Sequence, residues 1–233
     1  MEYYYETHLH TTEGSKCARK TAEEQVKLYK DLGYTGICVT DHYFNGNTTV
    51  PRDLPWEERV DLYCRGYENA REAGEKIGLD VFFGFEYTLG NGTDFLVYGI
   101  DKQWILEHPD HLTWEVRAFF RKVREDGGVV IHAHPFREAG YIDMIRLLPR
   151  EIDGVESLNA NRTDFEYALA AQYAENYGLP CSAGSDNHAG SQKRLAGIVS
   201  EKRFGNAKDL ILSVLNGESG TFMRDCEENT EIS

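Results

Sequence analysis

Val129-Val130-Ile131-His132-Ala133-His134-Pro135 is the stretch on which the fold turns. Three β-branched residues in a row read as a strand buried on both faces, and the run then breaks into histidine and proline. The same grammar recurs along the chain. Tyr3–His8 runs into His8-Leu9-His10, Gly36–Thr40 into Asp41-His42, and Val81–Glu86 ends on its own carboxylate. Phe95–Tyr98 is a short run with Asp94 at its start, and Gly154–Leu158 is another. Leu179–Ala183 leads to Asp186-Asn187-His188, and Ala196–Val199 is the last run. Buried runs that close on ionisable side chains describe a parallel sheet whose C-terminal strand ends share one rim.

Amphipathic stretches separate most of these runs. Thr21–Leu32 opens with a capping box, Thr21 with Glu24, and Gly33 is placed to stop it. Trp56–Ile77, Thr113–Glu125, Thr163–Tyr177 and Ala207–Leu215 also read as helices. Strand–helix alternation makes an α/β fold. An open doubly wound sheet and a barrel both fit the alternation, and the convergence of strand-end ligands favours the barrel. No repeat or linker divides the 233 residues, so residues 1–233 read as one domain, with a polar tail at 224–233 expected to fray.

Composition narrows the function. The net charge of -14 disfavours a nucleic-acid partner, which calls for a basic footprint. No apolar run reaches membrane-spanning length. Met1–Glu6 has neither basic flank nor apolar core, so a cytoplasmic location is expected. The five cysteines contain no CxxC pair and read as reduced thiols, with Cys17 a small packing residue. A phosphate-binding GxxxxGK[ST] loop, a dinucleotide fingerprint and a GxSxG elbow are all absent from the sequence.

The histidines carry the chemistry. On a strand, residues i and i+2 share a face, so His8-x-His10 and His132-x-His134 can each present two imidazoles to one place. Eight histidines in this length would give roughly 0.27 such pairs by chance. Imidazole mixed with carboxylate suits zinc, manganese or iron, and the lack of thiolate pairs argues against a structural zinc site. His132 points the same way as His134 along the strand. It reads equally as a partner behind a ligand, a proton donor or a core histidine. His108 and His111 read as solvated surface residues, and Tyr3-Tyr4-Tyr5 as core and rim of the first strand. Arg137, three residues past His134, is a phosphate-binding fork or a surface ion pair. The Asn/Gly/Thr-rich loop 43–55 is a lid or a plain connection, and Asn159 and Asn161 are placed to line a pocket.

The ordered set His8-x-His10, Thr40-Asp41-His42, Gly84-Phe85-Glu86, Ala133-His134-Pro135 and Ser185-Asp186-x-His188 resembles the polymerase and histidinol phosphatase (PHP) family. The resemblance implies a distorted (β/α)7 barrel, related to TIM barrels, with two to three divalent ions (Zn, Mn or Fe) at its C-terminal rim. It implies that His8, His10, Glu86 and Asp186 hold a first ion. Glu86 would bridge to a second, held also by Asp94 and His134, and His42 and His188 would hold a third. The family's aspartate after the first motif matches Ser15 here, which leaves Glu13 as the nearest carboxylate for that third ion. The expected activity is hydrolysis of a small phosphorylated substrate by a metal-bridging hydroxide. A metal-dependent amidohydrolase and a non-catalytic module that binds metal or a phosphorylated ligand are the alternatives.

Overall fold

The chain runs β1 (Tyr3–Leu9), α1 (Ala22–Asp31), β2 (Gly36–Val39), α2 (Trp56–Ile77), β3 (Asp80–Gly90), β4 (Thr93–Tyr98), α3 (Lys102–Glu107) and α4 (Val116–Glu125). It continues through β5 (Val129–Ala133), β6 (Gly154–Asn159), α5 (Asp164–Tyr177), β7 (Cys181–Gly184), β8 (Arg194–Ser200), α6 (Ala207–Leu215) and β9 (Gly220–Asp225). The structure, a computed structural model, describes residues 1–90, 92–190 and 192–226.

One sheet carries the strands in the order β7-β6-β5-β4-β3-β2-β1-β8-β9. Its first seven members close into a ring. The chain beyond β7 pairs with the end of β1, where the His10 N–H donates to the Asn187 carbonyl (2.9 Å) and the Asn187 N–H to the His8 carbonyl (3.1 Å). Strand β8 joins the other end of β1 in antiparallel register, Tyr3 opposite Ser200. The barrel expected from the sequence is therefore present, with a β8–β9 extension.

One strand departs from a fully parallel ring. β4 runs antiparallel to both neighbours, with Glu86 opposite Leu96 and Leu96 opposite Ile131. Only residues 91 and 92 separate β3 from β4, too few for a parallel crossover, which needs a dozen or more. This reversal puts the start of β4 at the rim where its neighbours end. Asp94 therefore sits beside Thr88 and Ala133, among the strand-end groups.

Helix starts follow local chemistry. The Thr21–Glu24 capping box opens α1, and a second box, Thr163 with Glu166, opens α5. Apolar residues fill both faces of the sheet. Tyr5, Phe82, Leu96, Tyr98, Ile131 and Ile198 pack with α6 in one cluster. The outer layer joins Phe85, Phe95, Phe119, Phe120 and Val130 to the helices. No helix among the described residues is long and apolar enough to cross a membrane.

Two residues of the tail expected to fray are held in a strand. Arg224 and Asp225 belong to β9, paired with Leu195 and Arg194, and the Arg224 guanidinium lies over the rings of Tyr4, Tyr34 and Phe222. Strand pairing and ring contacts hold what polarity alone would release. Residues 227–233 lie outside the described residues.

Candidate metal centre

β1 delivers its end into the barrel mouth. His8 and His10 are fully buried. The His8 Nδ1 lies 2.8 Å from Glu156 Oε1, and the His10 Nδ1 lies 3.0 Å from Ser15 Oγ. Ser15 itself donates to Asp41 Oδ1 (2.7 Å), so it accepts from His10. In each ring, Nδ1 is committed to a polar partner behind it. Nε2 is left buried with no hydrogen-bond partner. Nε2 is thus the nitrogen that each ring turns into the mouth, as a metal-ligating imidazole requires.

The mouth gathers the other strand ends. His8 Nε2 is 3.5 Å from Glu86 Oε1 and 3.6 Å from Asp186 Oδ1. His10 Nε2 is 3.6 Å from Glu86 Oε2 and 3.5 Å from Asp186 Oδ1. His134 Nε2 is 3.0 Å from Glu86 Oε1, and His42 Nδ1 is 2.6 Å from Glu86 Oε2. Donor atoms converge within 4.8 Å of one another in four triads: His8/His10/Glu86, His8/His134/Asp186, Glu86/Asp94/His134 and His10/His42/His188. These residues fit divalent cations. Orphaned imidazole nitrogens face buried carboxylate oxygens at separations that an ion between them would fill.

Backbone strain accompanies the cluster. His134 (φ 27°) and Asp186 (φ 52°) are the non-glycine residues with left-handed φ among those described. Both follow a strand, where the chain must turn a side chain back into the mouth. Gly184 serves the same crowding. A Cβ there would stand 2.6 Å from that of His8 and 2.7 Å from Glu156 Oε1.

Electrostatics reports an unbalanced site. Burial alone would push the Glu86 carboxyl up, but the His42 charge, the bond with His134 and the nearby His8 imidazole hold it well below its usual range. Burial is likewise overcome at Asp186 by His8, His10 and His188. Asp94 goes the other way, raised by burial and then by the Glu86 charge. Burial and the neighbouring His188 and His42 push His10 well down. Glu86 and Asp186 are held in their ionised form by the imidazoles around them, and Asp94 is not.

Several expected residues stand elsewhere. The Glu13 carboxylate accepts the Ala22 N–H (3.0 Å) at the start of α1 and joins none of the triads. A free helix N–H attracts a nearby carboxylate, and that draws Glu13 off the mouth. His132 points away from the mouth. It stacks on Phe95 (4.6 Å) and meets Tyr173 edge-on, both its nitrogens lack partners, and burial pulls its pKa down to about 3. The left-handed turn at His134 breaks the i, i+2 parity on which the shared direction rested. His111 is buried rather than solvated, ringed by Tyr43, Trp56, Trp104, Trp114 and Phe119, and His108 is half-buried against Trp104. The loop 43–55 is tied down, with Asn45 Nδ2 donating to the Thr88 carbonyl (2.8 Å) and the Thr49 N–H to that of Gly14 (3.0 Å).

Other residues matter that the sequence reading passed over. Glu156 supports His8 and also accepts the His134 N–H (3.1 Å) and Asn159 Nδ2 (2.8 Å). Glu6 accepts the N–H groups of His8 and Ser185, both at 2.8 Å. An acid inside an apolar run was the available signal for each. Cys17 is no packing residue: it is exposed, and its Sγ lies 3.2 Å from His42 Nε2. Burial works against the Cys17 thiolate, but bonds to His188 and His42 prevail and bring the thiol to about 6.

Above the cluster opens a cleft of about 1160 Å³ whose walls include Arg19, Arg137, Arg162, Lys193 and Arg194. Arg137 is half-buried, 3.7 Å from Asp94, with its guanidinium over the Tyr141 ring. Arg162 reaches within 3.9 Å of Asp186.

No family model matches the chain. Over 78 residues it is 36% identical to the phosphoribosyl 1,2-cyclic phosphate 1,2-diphosphodiesterase of Eggerthella lenta, a match covering 32% of this chain and 28% of that protein. The shared segment is thus under a third of that relative's length. Among solved structures, a two-domain protein of Bacteroides vulgatus containing a predicted PHP-like metal-dependent phosphoesterase superposes with a TM-score of 0.70. It is 15% identical, and the match covers 95% of this chain and 65% of that one. A proposed metal-dependent phosphoesterase of Bifidobacterium adolescentis gives a TM-score of 0.58 at 16% identity, covering 91% and 95%. The chain therefore has the fold of the PHP-like barrels.

Proposed function

We propose that the chain is a metal-dependent phosphoesterase acting on a small phosphorylated substrate. The observation that carries this is the pair of buried, partnerless Nε2 atoms of His8 and His10, aimed at Glu86 and Asp186 beneath an arginine-walled cleft. His8, His10, Glu86 and Asp186 would hold one ion, and Glu86, Asp94 and His134 a second. His42 and His188 would help to hold a third. Bound divalent ions supply Lewis acidity and lower the pKa of water. Zinc, manganese and iron all suit imidazole with carboxylate.

The chain's own residues do the rest. Arg137 and Arg162 offer planar forks to phosphate oxygens at the mouth. Glu156 and Ser15 hold the His8 and His10 rings in one tautomer. Buried carboxylates fixed in place would hold the cations that face developing negative charge without reorganising. The diesterase name of the Eggerthella lenta relative makes phosphodiesters worth testing beside monoesters. Five free cysteines are in keeping with a reducing, cytoplasmic setting.

Elemental analysis paired with aryl phosphate hydrolysis tests the proposal. Two to three ions per chain are expected, with turnover lost on chelation and restored by manganese or zinc. Absence of turnover after reloading, or faster hydrolysis of an amide than of any phosphate ester, would overturn it.

A further inference from the structure

We propose that Cys17 is a metal ligand, its sulfur joining His42 and His188 at the outer edge of the cluster. This rests on the metal-dependent reading above and extends it to a donor of a different kind. The His10/His42/His188 triad contains no carboxylate, and the Cys17 sulfur stands at its edge against His42 rather than within it. Its rings are close, with His10 stacked on His188 at 4.0 Å and tilted against His42 at 4.5 Å. His42 stands between two neighbours, Nδ1 towards Glu86 (2.6 Å) and Nε2 towards the Cys17 sulfur (3.2 Å). The fully buried His10, its Nε2 without a hydrogen-bond partner, also belongs to this triad, so an unsatisfied imidazole borders the position.

The loop after β1 leaves Cys17 in this role by disposing of the other contenders. Ser15 accepts from His10 and from the His42 N–H (2.9 Å) while donating to Asp41, so its oxygen is occupied. Glu13 sits on the α1 N-terminus. Cys17 is the side chain of this loop that faces the imidazoles, and it opens on the cleft, so an ion can enter. Coordination releases the thiol proton to solvent and changes no oxidation state. A sulfur donor makes this position softer than the His/carboxylate positions beside it. It favours zinc, ferrous iron or cobalt over manganese or magnesium.

Cobalt(II) loading of the full chain tests the assignment. Wild type should bind cobalt and show a near-ultraviolet thiolate-to-cobalt charge-transfer band. Cys17→Ser should lose the band and about one ion per chain while keeping the others. Zinc should also protect Cys17 of the wild type from iodoacetamide, read by peptide mass spectrometry. Cobalt bound without the band, or a band that survives in Cys17→Ser, would overturn the assignment and leave the phosphoesterase reading standing. So would equal alkylation of Cys17 in zinc-loaded and metal-free protein. Failure to bind any cobalt or zinc would overturn both.

Discussion

Substituting His111 by phenylalanine should flatten the acid side of the stability curve. His111 is buried among five aromatic residues. Its Nδ1 is 2.6 Å from the His108 carbonyl, its Nε2 has no partner, and burial pulls its pKa down to about 4. The folded protein therefore refuses a proton that the unfolded chain accepts near about 6.5. Stability from this group is complete above the unfolded value and drains away as pH falls towards the folded one. The loss amounts to about 2 kcal/mol by about pH 5 and about 3.4 kcal/mol at full protonation. Glu6 acts in the opposite sense, because burial raises its pKa to about 7 against bonds from Ser185, His8 and Tyr29, and its contribution fades as pH rises through that value. The wild-type curve is thus a sum, and the difference between His111→Phe and wild type isolates the imidazole. At about pH 8 the variant loses one hydrogen bond, about 1 kcal/mol, and sheds an orphaned nitrogen worth about 1–3 kcal/mol, so it should match or slightly exceed wild type. Urea unfolding of chelated protein between about pH 8 and pH 5 reads the effect. Parallel curves for the two proteins would refute the reasoning, since they would mean that the ring protonates inside the fold. The consequence reaches the site: Tyr43, against His111, also stacks on Phe85 at 4.2 Å, so this aromatic block backs both His42 and Glu86.

Two further substitutions separate the roles of neighbouring residues. His132→Phe should keep metal content and turnover, and gain about 1 kcal/mol by removing two partnerless nitrogens from an aromatic pocket, net of some overpacking; a fall in kcat with full metal occupancy would put His132 back in the reaction. Glu156→Gln should weaken metal affinity by about 10–100-fold, measured by competition with a chromophoric chelator, because it loosens the hold on His8 and His134; an unchanged affinity would show that those residues are held by other means.

Much of the fold was readable because its signals are local. Apolar runs such as Val129–Ile131 and the capping box at Thr21 each depend on adjacent residues, whereas the antiparallel turn from β3 to β4 went unread. The placement of ionisable groups at strand ends was readable for the same reason. Directions were harder. Of the three readings open for His132 its surroundings fit the core histidine, and the shared direction with His134 failed through one torsion, the left-handed φ of His134, which no run of residue types announces. The surface reading of His111 failed because five rings drawn from Tyr43 to Phe119 cover it.

The sequence by itself determined which strand ends carry imidazole and carboxylate, since period-two alternation and chain order are properties of neighbouring residues. The tertiary structure decided which of those groups meet. Closure of β7 onto β1 brings Asp186 to His8, reversal of β4 brings Asp94 to Glu86, and the α1 terminus takes Glu13 while Cys17 is left beside His42. Such meetings depend on distances across the barrel and on which buried donors are already satisfied, and both are set only when the chain has packed.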